Sequence, residues 1–509
     1  MIAQNQSKTD NFNQGVDYDL VIVGGGINGA VSAAAASAAG LKVLLIDKSD
    51  FASFTSQQSS NLVWGGIKYL QSYEFYLVFK LSLARNKLMR SYPNQIREVG
   101  FLASLGPDAP FGRLLGTLGT LFYWGIGLFG TSAPRSYSAK RAKQIEPILK
   151  TGRKAVRYFD AQLPDNDSRF VYDFVRHAKR LGAEVANYTE LTAATKADVW
   201  NLILSSEGKS RKVTAKAVIN TAGPFASKVS ELLDSKTKAG LVFSKGVHLI
   251  LGRKITRNDD VLAFWDEQGR LFYVLPMGDR SMVGTTDTRV SDPHTEVEQI
   301  DRDFVLKQIN AQLEGDQILP SDIISERSGV RPLVIEKAAE ESTADWHQLS
   351  RKHVIETDFS KSVVTVLGGK LTDCLNVGQE VVAELKKLGF AVSKPKDWFG
   401  EGEQDQKSAF VKLVRDRSRD DAVATRIADS TWRRQGPRAI EMLAQAPKLT
   451  EIIEGLGITA QEIEFIARHE DVKTREDILR RRLPIAMARS QKEIDDNGPL
   501  QDLLERLGL

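Results

Sequence analysis

Cysteine and histidine are both scarce in this sequence. Its 509 residues include one cysteine, Cys374, and six histidines. A single cysteine excludes an intrachain disulfide framework and favours a reducing compartment. The histidines are scattered, with no H-E-x-x-H motif and no other paired-ligand spacing, so no metal site is predicted.

Neither sign of charge dominates. The 69 lysines and arginines are balanced by 65 aspartates and glutamates, which leaves a formal net charge of +4. This excess is too small to predict nucleic-acid binding. With 42% apolar and 26% charged residues, the composition is that of a globular protein, and the length predicts two to four domains. The oligomeric state is left open.

Long apolar runs are absent as well, since no stretch reaches the about 18–20 residues that a membrane-spanning helix needs. The nearest is 114–130, which five glycines interrupt. We predict a buried or lid-like helical segment there, with an interfacial patch that dips into one leaflet as the alternative. Residues 1–17 lack the apolar core of a signal peptide, which predicts a flexible leader. We therefore expect a cytoplasmic protein and leave open a peripheral contact with the inner face of the cytoplasmic membrane.

The sequence does contain a strong glycine motif after its first apolar run. Residues 19–23 predict a buried strand, and Gly24, Gly26 and Gly29 then form a G-x-G-x-x-G spacing before an alanine-rich stretch at 30–39. The first glycine permits a tight turn, the second lets backbone amides approach a pyrophosphate, and the third lets the helix pack closely on the strand. Strand, glycines and helix in this order predict a dinucleotide site.

Three later segments extend this site. A second strand at 42–46 ends in Asp47, whose carboxylate is placed to bind the adenosine ribose. Two further strands run into small residues, at 217–224 and at 363–369. Such returns resemble the flavoproteins of the D-amino-acid oxidase type, and glycines at strand ends allow the backbone to approach a flavin ring. FAD is therefore the predicted cofactor.

The segment 55–70 is similar to the signature T-S-x-x-S-S-K-L-I-H-G-G-L-R-Y-L of the FAD-dependent glycerol-3-phosphate dehydrogenases, a family that includes the related oxidases. Further similar segments follow in the same order, at 159–162, 284–287, 329–333, 368–372 and 467–482. The resemblance covers nearly the whole chain, from about Asp17 to beyond Asp477. It implies FAD held without a covalent bond.

Together, the glycine motif, the strand ends and the resemblance predict a set of cofactor-binding residues. These are Gly24, Gly26, Asn28, Gly29, Asp47, Thr55, Ser56, Ser59, Ser60, Gly65, Gly66, Ala222, Gly223, Gly368, Gly369, Lys370, Leu371 and Thr372.

The resemblance also implies a cluster of cations for a substrate phosphate, namely Lys68, Arg331 and Lys370, with Tyr69 as a hydroxyl donor. The fork of Arg331 suits a phosphate or a polarised oxygen, and a surface or ion-paired arginine is the alternative. Lys370 is expected to stabilise negative charge on the reduced flavin, with a structural salt bridge as the alternative. Catalytic roles are predicted for His248, Arg331 and Lys370.

His248 matches a family histidine and is the leading candidate for the general base that takes the hydroxyl proton. A structural histidine is the alternative, in which case Arg331 or a bound water assists proton removal.

Several positions depart from the family signature. Trp64 stands where the family has His, Lys68 where it has Arg, and Asn61 where it has Lys, while 373–375 read Asp-Cys-Leu instead of Thr-Tyr-Arg. Lysine at position 68 keeps the charge but loses the bidentate fork. These changes leave the flavin chemistry intact and open the question of the substrate.

The motifs predict an α/β protein with three parts. A Rossmann-like FAD-binding domain is discontinuous, at about 17–110, 150–235 and 355–390, and an antiparallel-sheet substrate domain at about 241–345 completes a 17–390 oxidoreductase region. A C-terminal helical domain is predicted at 395–509. Its Arg480-Arg481-Arg482 run is interpreted as a solvated helix face, with anionic lipid or a partner protein as the alternative.

The resemblance implies oxidation of sn-glycerol 3-phosphate to dihydroxyacetone phosphate by hydride transfer to FAD, with electrons passed to quinone. One alternative is a related dehydrogenase or oxidase that acts on a different small, phosphorylated alcohol or hydroxy acid, with oxygen as acceptor. Another is a flavin-binding protein without catalysis.

Overall fold

The computed structural model describes residues 15–266, 269–336, 352–402, 404–418, 420–444 and 446–509. The first fourteen residues of the predicted leader lie outside the described residues. So does 337–345, the end of the predicted substrate domain.

The described strands, in chain order, are β1 Tyr18–Val23, β2 Val43–Ile46, β3 Leu62–Val63, β4 Arg97–Leu105, β5 Arg135–Tyr137, β6 Lys154–Gln162, β7 Glu184–Ala186, β8 Glu190–Lys196, β9 Trp200–Ser206, β10 Lys209–Asn220, β11 Ala239–Leu251, β12 Val261–Trp265, β13 Leu271–Met277, β14 Arg280–Gly284, β15 Thr288–Val290, β16 Ile323–Glu336, β17 His353–Asp358, β18 Val363–Gly368, β19 Glu451–Ile453 and β20 Ile458–Thr459.

The described helices are α1 Ile27–Ala38, α2 Phe75–Ser91, α3 Arg113–Ile126, α4 Ala139–Ile145, α5 Asp167–Arg180, α6 Ala226–Leu232, α7 Gln299–Gln312, α8 Cys374–Lys387, α9 Lys407–Arg417, α10 Asp421–Gln435, α11 Arg438–Ala444, α12 Ala460–His469, α13 Ile485–Ala488, α14 Gln491–Asp495 and α15 Gly498–Arg506. Short 3₁₀ turns at Thr55–Gln57, Ile67–Leu70, Gly223–Phe225 and Leu371–Asp373, and a π-helical turn at Asp477–Arg482, connect them.

The first sheet has the strand order β17-β18-β10-β1-β2-β7, with the β8–β9 hairpin attached to β10. Strands β18, β10, β1, β2 and β7 pair in parallel. Their apolar runs are buried because α1, α5 and α8 cover one face and the β8–β9 hairpin lies against the other. This is the predicted Rossmann-like layer, and it brings the ends of β1, β2, β10 and β18 to one edge.

The second sheet has the order β15-β11-β14-β13-β12-β4-β6-β3, with β16 paired to β11 and β5 paired to β6. It is antiparallel except for the β4–β12 pair, as expected for the predicted substrate-side sheet. The pairing differs from the predicted bounds in one respect. Strands β3 to β6, assigned from sequence mostly to the FAD-binding parts, belong to this second sheet. An apolar strand pattern does not reveal its partner, and only the fold shows that β4 closes on β12.

The C-terminal region is helical, as predicted from 395 onward, and contains the short β19–β20 pair. It has apolar clusters of its own, around Trp432 and around Ile466. The structure corrects the interpretation of the arginine run that was made from the sequence. Arg481 and Arg482 are buried and paired with buried Asp50, so they form neither a solvated face nor a lipid contact.

Residues 114–130 were predicted to be a buried or lid-like helical segment; the helix is confirmed, but the segment is not buried. They form α3 and its C-terminal turn, and most of the large apolar side chains there are exposed: Leu114, Leu115, Leu118, Leu121, Phe122, Leu128 and Phe129. Within α3, only Gly116, Thr120 and Tyr123 are buried, so its large apolar side chains face outward. In the described part of the chain, no helix combines the length and the apolar character needed to cross a bilayer.

Candidate active site

The glycine turn lies between β1 and α1. Gly24 has φ +104°, a left-handed conformation that favours glycine, and a Cβ there would lie 2.6 Å from the Thr221 carbonyl oxygen. A Cβ at Gly29 would overlap the Gly24 carbonyl oxygen, and one at Gly26 would lie 3.1 Å from Ser56 Oγ. The turn is therefore a cradle of backbone at the N-terminus of a buried helix, which fits a diphosphate.

Asp47 lies at the end of β2 beside this turn. Its two oxygens accept hydrogen bonds from Gly25 N at 2.7 Å and Ser49 N at 2.9 Å. Removal from water raises the pKa of this half-buried carboxyl to about 6. Seven predicted cofactor residues line one cleft here: Gly24, Gly26, Asp47, Thr55, Ser56, Ala222 and Gly223. The glycine turn and the Asp47 carboxylate, which is predicted to bind the ribose, thus lie side by side in one cleft.

The end of β18 reaches the same turn from the other side. Asn28 Nδ2 donates to the Gly368 carbonyl oxygen at 3.0 Å, and a Cβ at Gly369 would lie 3.6 Å from Asn28 Oδ1. That Oδ1 atom is buried and has no hydrogen-bond partner among the described residues. An orphaned acceptor beside two glycines of left-handed conformation fits a bound polar group such as a flavin.

Residues 50–60, here named the 50–60 loop, connect this cleft to the second sheet. Ser56 Oγ accepts from Ile27 N at 3.0 Å, and Thr55 Oγ1 donates to the Val330 carbonyl oxygen at 2.8 Å. Ser59 Oγ accepts from Asn61 N at 3.1 Å. The loop can approach β16 because position 329 is glycine, where a Cβ would lie 2.5 Å from Gln58 Cβ. The loop therefore lies between the dinucleotide cradle and the face of β11 and β16.

His248 lies on that face of β11, opposite Arg327 of β16. It is 1% exposed, and its Nε2 lies 2.9 Å from Ser60 Oγ. Burial, with Arg327 and Arg331 nearby, holds the pKa of His248 well below its usual value. The imidazole is therefore neutral at physiological pH and able to accept a proton.

Arg331 lies on the same face, opposite Ser244 and across Gly246. Its Nη2 donates to Thr285 Oγ1 at 2.9 Å, and its Nη1 lies 3.3 Å from Ser244 Oγ and 3.5 Å from Asp287 Oδ1. The predicted arginine is thus held in place by the 284–287 segment. That segment matched the family without being assigned a role from sequence.

Lys370 forms a second group of the predicted residues. Its Nζ lies 3.9 Å from the centre of the Tyr69 ring and 5.7 Å from that of Trp64. Thr372 Oγ1 donates to the Trp64 carbonyl oxygen at 3.1 Å, which ties the two segments together. Lys68 lies beside Tyr69 on the same 3₁₀ turn. Trp64, where the family has His, therefore lies close to the predicted lysine.

The remaining predicted residues, Gly65, Gly66 and Leu371, support this group. Gly66 has φ +85°, and a Cβ there would lie 2.8 Å from the Tyr69 ring. Gly65 N donates to buried Asp160 at 2.9 Å, and Leu371 packs on the core of the first sheet.

Sequence reasoning missed two charged groups at this site. One is Arg327, which is buried, pairs with Asp167 at 2.7 Å and lies opposite His248. The other is His353, whose ring nitrogens lie 2.7 Å from Asp373 and 2.7 Å from Glu380. The two carboxylates raise the pKa of His353 to about 9 against the opposing effect of burial. Asp373, one of the departures from the family signature, was the only sequence signal for this cluster.

Comparison with known proteins agrees with this geometry. Residues 19–369 match the DAO family, described as FAD dependent oxidoreductase. The aerobic glycerol-3-phosphate dehydrogenase of Bacillus subtilis (strain 168) is 31% identical over 373 residues, 72% of this chain and 66% of that protein. The protein of the same name from Staphylococcus haemolyticus (strain JCSC1435) is 30% identical over 384 residues, 74% of this chain and 68% of that protein. The match thus spans about two thirds of the length of these curated relatives.

Solved structures show the same fold. The glycerol-3-phosphate dehydrogenase from Bacillus halodurans complexed with FAD superposes with a TM-score of 0.67 at 19% identity, over 96% of this chain and 91% of that one. L-alpha-glycerophosphate oxidase from Mycoplasma pneumoniae with FAD bound gives a TM-score of 0.58 at 17% identity, over 75% of this chain and 97% of that one.

The glycine cradle, the Asp47 carboxylate beside it and the family match together define a class: the chain belongs to the FAD-dependent oxidoreductases, and its cofactor is FAD. Within that class it belongs to the family of the aerobic glycerol-3-phosphate dehydrogenases. The fold class, the family and the cofactor predicted from sequence are confirmed. Among the described residues, no group of three or more His, Cys, Asp or Glu side chains is arranged so that it could hold a metal ion.

Proposed function

We propose that this protein oxidises sn-glycerol 3-phosphate to dihydroxyacetone phosphate, holds FAD without a covalent bond and passes the electrons to quinone. The observation that carries this proposal is the face of β11 and β16. There a neutral histidine, His248, lies on the same side of the sheet as Arg331 and next to the loop that lines the cofactor cleft. The names of the curated relatives support the same substrate.

The residues divide the work in the following way. Bound FAD supplies the acceptor for the hydride that leaves C2 of the alcohol. His248 takes the hydroxyl proton at Nδ1, which is buried and has no hydrogen-bond partner among the described residues. Ser60 favours this when its Oγ accepts from Nε2–H, because that tautomer leaves the lone pair on Nδ1.

The cations bind the phosphate. Arg331 is fixed by Thr285 and Ser244, so its fork is oriented before substrate arrives. Lys68 and Lys370 add positive charge. Lys68 lies in one 3₁₀ turn, and Lys370 directly precedes another. The same lysines and arginine would also stabilise negative charge on a bound flavin.

The test is anaerobic addition of sn-glycerol 3-phosphate to the purified yellow protein. We expect the visible flavin absorption to bleach, with dihydroxyacetone phosphate as the product, and sn-glycerol 1-phosphate to leave the spectrum unchanged. An oxidised spectrum with the first compound, in protein whose flavin is still photoreducible, would reject this substrate.

A different small phosphorylated alcohol or hydroxy acid is the second candidate. It is favoured by Trp64, which lies near Lys370 where the family has histidine. A panel of phosphorylated polyols and hydroxy acids in the same anaerobic assay distinguishes the candidates, because the true substrate bleaches the flavin fastest. No bleaching with any member would point to a flavin-binding protein without catalysis.

Quinone as acceptor requires access to a membrane, and we propose a peripheral contact through one apolar surface. The exposed side chains of α3 and of the start of α2 are joined where the Phe75 and Phe122 rings lie 5.6 Å apart. This α2–α3 apolar surface consists of Tyr73, Phe75, Tyr76, Phe79, Leu114, Leu115, Leu118, Leu121, Phe122, Leu128 and Phe129. So large an exposed apolar area indicates a binding surface, and an amphipathic helix suits the lipid interface.

Sedimentation with phosphatidylglycerol–phosphatidylethanolamine vesicles tests this contact. The wild-type protein is expected in the vesicle pellet, and the L115E/L118E variant in the supernatant with its flavin retained. Ile300→Glu is the matched control, because Ile300 is 73% exposed on a different helix. Equal sedimentation of all three proteins would reject this surface. A further assay compares the rate at which a soluble quinone analogue is reduced with the rate at which peroxide forms. The faster of the two identifies the electron acceptor as quinone or oxygen.

A further inference from the structure

The 50–60 loop is the part of the chain on which both halves of the active site depend. It contributes Thr55 and Ser56 to the cofactor cleft and Ser60 to the contact with His248. Apart from the 3₁₀ turn Thr55–Gln57 it has no regular structure, so its conformation depends on contacts with other segments. Two of those contacts come from the C-terminal region.

The first contact holds the start of the loop. Asp50 is fully buried, and its oxygens accept from Arg481 Nε at 2.7 Å and from Arg482 Nη1 and Nη2 at 2.7 and 2.9 Å. Arg482 also donates to the Glu470 carbonyl oxygen and lies 3.9 Å from the centre of the Tyr172 ring. These groups satisfy one another, so this contact is explained by stability alone.

The second contact is different. The Gln57 carbonyl oxygen accepts from both Arg327 and Arg480, one from the second sheet and one from the π-helical turn of the C-terminal region. Arg327 also pairs with Asp167. Arg480 forms no ion pair with a carboxylate within the described part of the chain, and its Nη1 is buried without a hydrogen bond there.

Arg480 is therefore costly where it lies. Burial and the neighbouring charge of Arg327 lower the pKa of Arg480 to about 9. A cation with one carbonyl and a 3.5 Å contact to Gln58 Oε1 as its ligands gains little stability in return. Its backbone is fixed independently, because Asn166 Nδ2 donates to the Arg480 carbonyl oxygen at 3.0 Å. Among the described residues, the hydrogen bonds of the Arg480 side chain go to the 50–60 loop.

We propose that Arg480 is a positioning residue through which the C-terminal helical region completes the FAD site: by holding the Gln57 carbonyl oxygen together with Arg327, it fixes the loop that presents Thr55, Ser56 and Ser60. This role concerns cofactor binding and does not depend on which alcohol is oxidised.

The test compares Arg480→Gln with Arg480→Lys in the full-length protein. Loss of the donor to Gln57 is expected to weaken FAD binding about tenfold, as for one hydrogen bond to a charged group. The apoprotein of R480Q should unfold at the wild-type temperature, because Arg480 contributes little to stability. R480K, which keeps a charged donor, should recover part of the affinity. Affinity is measured by titrating the apoprotein with FAD and following the change in flavin fluorescence on binding.

Arg475→Gln is the control, because Arg475 is an exposed arginine in the same region and donates a hydrogen bond to Gln501 at 2.9 Å, away from the 50–60 loop. FAD affinity of R480Q equal to that of the wild type and of R475Q would overturn the proposal. The proposal would also be overturned if R480Q lowered the unfolding temperature of the apoprotein as much as that of the holoprotein. An equal loss in both forms is the signature of a merely structural residue.

Two further readouts keep the outcomes separate. If R480Q does not fold, R480K decides alone, with weaker FAD binding and an unchanged apoprotein expected, and wild-type affinity contradicting the role. If the wild-type protein binds FAD but does not oxidise sn-glycerol 3-phosphate, the proposed substrate fails while the affinity series still tests Arg480.

Discussion

The glycine cradle and the face of β11 and β16 that we propose to be catalytic are built in opposite ways. The cradle is backbone and comes from neighbouring residues, Gly24 to Gly29, followed closely by Asp47. The sheet face is made of side chains and comes from Ser60, His248 and Arg331, which are far apart in the chain. A cofactor common to many proteins is held by a local motif, whereas the site for one substrate is assembled by the fold.

The two regions also differ in how charge is handled. Around the cradle, neutral backbone amides and one helix N-terminus favour an anion. On the sheet face, His248 is kept neutral by burial and by the cations next to it. FAD binding at the cradle should therefore be lost when added bulk changes the shape of the turn. Substrate oxidation at the sheet face should be lost when a single functional group is removed.

The largest effect should follow from Gly29→Ala. Its Cβ would overlap the Gly24 carbonyl oxygen and lie 2.8 Å from Thr221 Oγ1, so the turn has to open. We expect purified protein without bound flavin, measured from the visible absorption. The control is Gly119→Ala, where nothing lies within 4 Å on an exposed helix. A yellow G29A protein with wild-type FAD affinity would show that the cradle is not where FAD binds.

His248→Asn should come next, because it removes the base and leaves the cradle intact. Flavin reduction by substrate is expected to slow by about 10²–10⁴-fold with FAD still bound, as followed by anaerobic stopped-flow absorption. His469→Asn, an exposed histidine in the C-terminal region, should reduce at the wild-type rate. Because the pKa of His248 is depressed, the wild-type rate should not fall as pH drops through 6.5. A wild-type rate in H248N would assign the base elsewhere.

Arg331→Lys should have a smaller effect, because charge is kept and only the fork is lost. We expect KM to rise on the order of tenfold, with a lesser change in kcat. Steady-state kinetics with a dye acceptor measure both constants. An unchanged KM would mean that Arg331 does not bind the phosphate.

The smallest effect concerns His353, the first residue of β17. Its ring contacts Asp373, just before α8, and Glu380, within α8. Its pKa is raised from 6.5 to about 9 on folding, so its stabilisation is complete below 6.5 and lost as pH rises through about 9. We expect the free energy of unfolding to drop by on the order of 3 kcal/mol over that window. Urea denaturation from pH 6 to 10 measures it, and His353→Gln should remove this slope. An equal slope in H353Q would assign it to other groups.

The same contrast explains what the sequence could predict. The cradle was predicted residue by residue because spacing alone fixes a turn between a strand and a helix. His248 and Arg331 were predicted only through resemblance, since their proximity depends on β11 pairing with β16 across about eighty residues of chain. No motif or pattern around Arg327 in the sequence gave a signal that this residue lies at the site. Arg480-Arg481-Arg482 gave a wrong one, because a run of charges does not show that Asp50 lies buried opposite.

In the proposed reaction, a hydride leaves C2 of a phosphorylated secondary alcohol while His248 takes the hydroxyl proton. Single-turnover reduction of the FAD enzyme with sn-glycerol 3-phosphate, unlabelled or deuterated at C2, tests it directly. We expect rapid bleaching that deuterium slows, and much slower bleaching in H248N. Reduction that is equally fast with the deuterated compound and unaffected by H248N would contradict it.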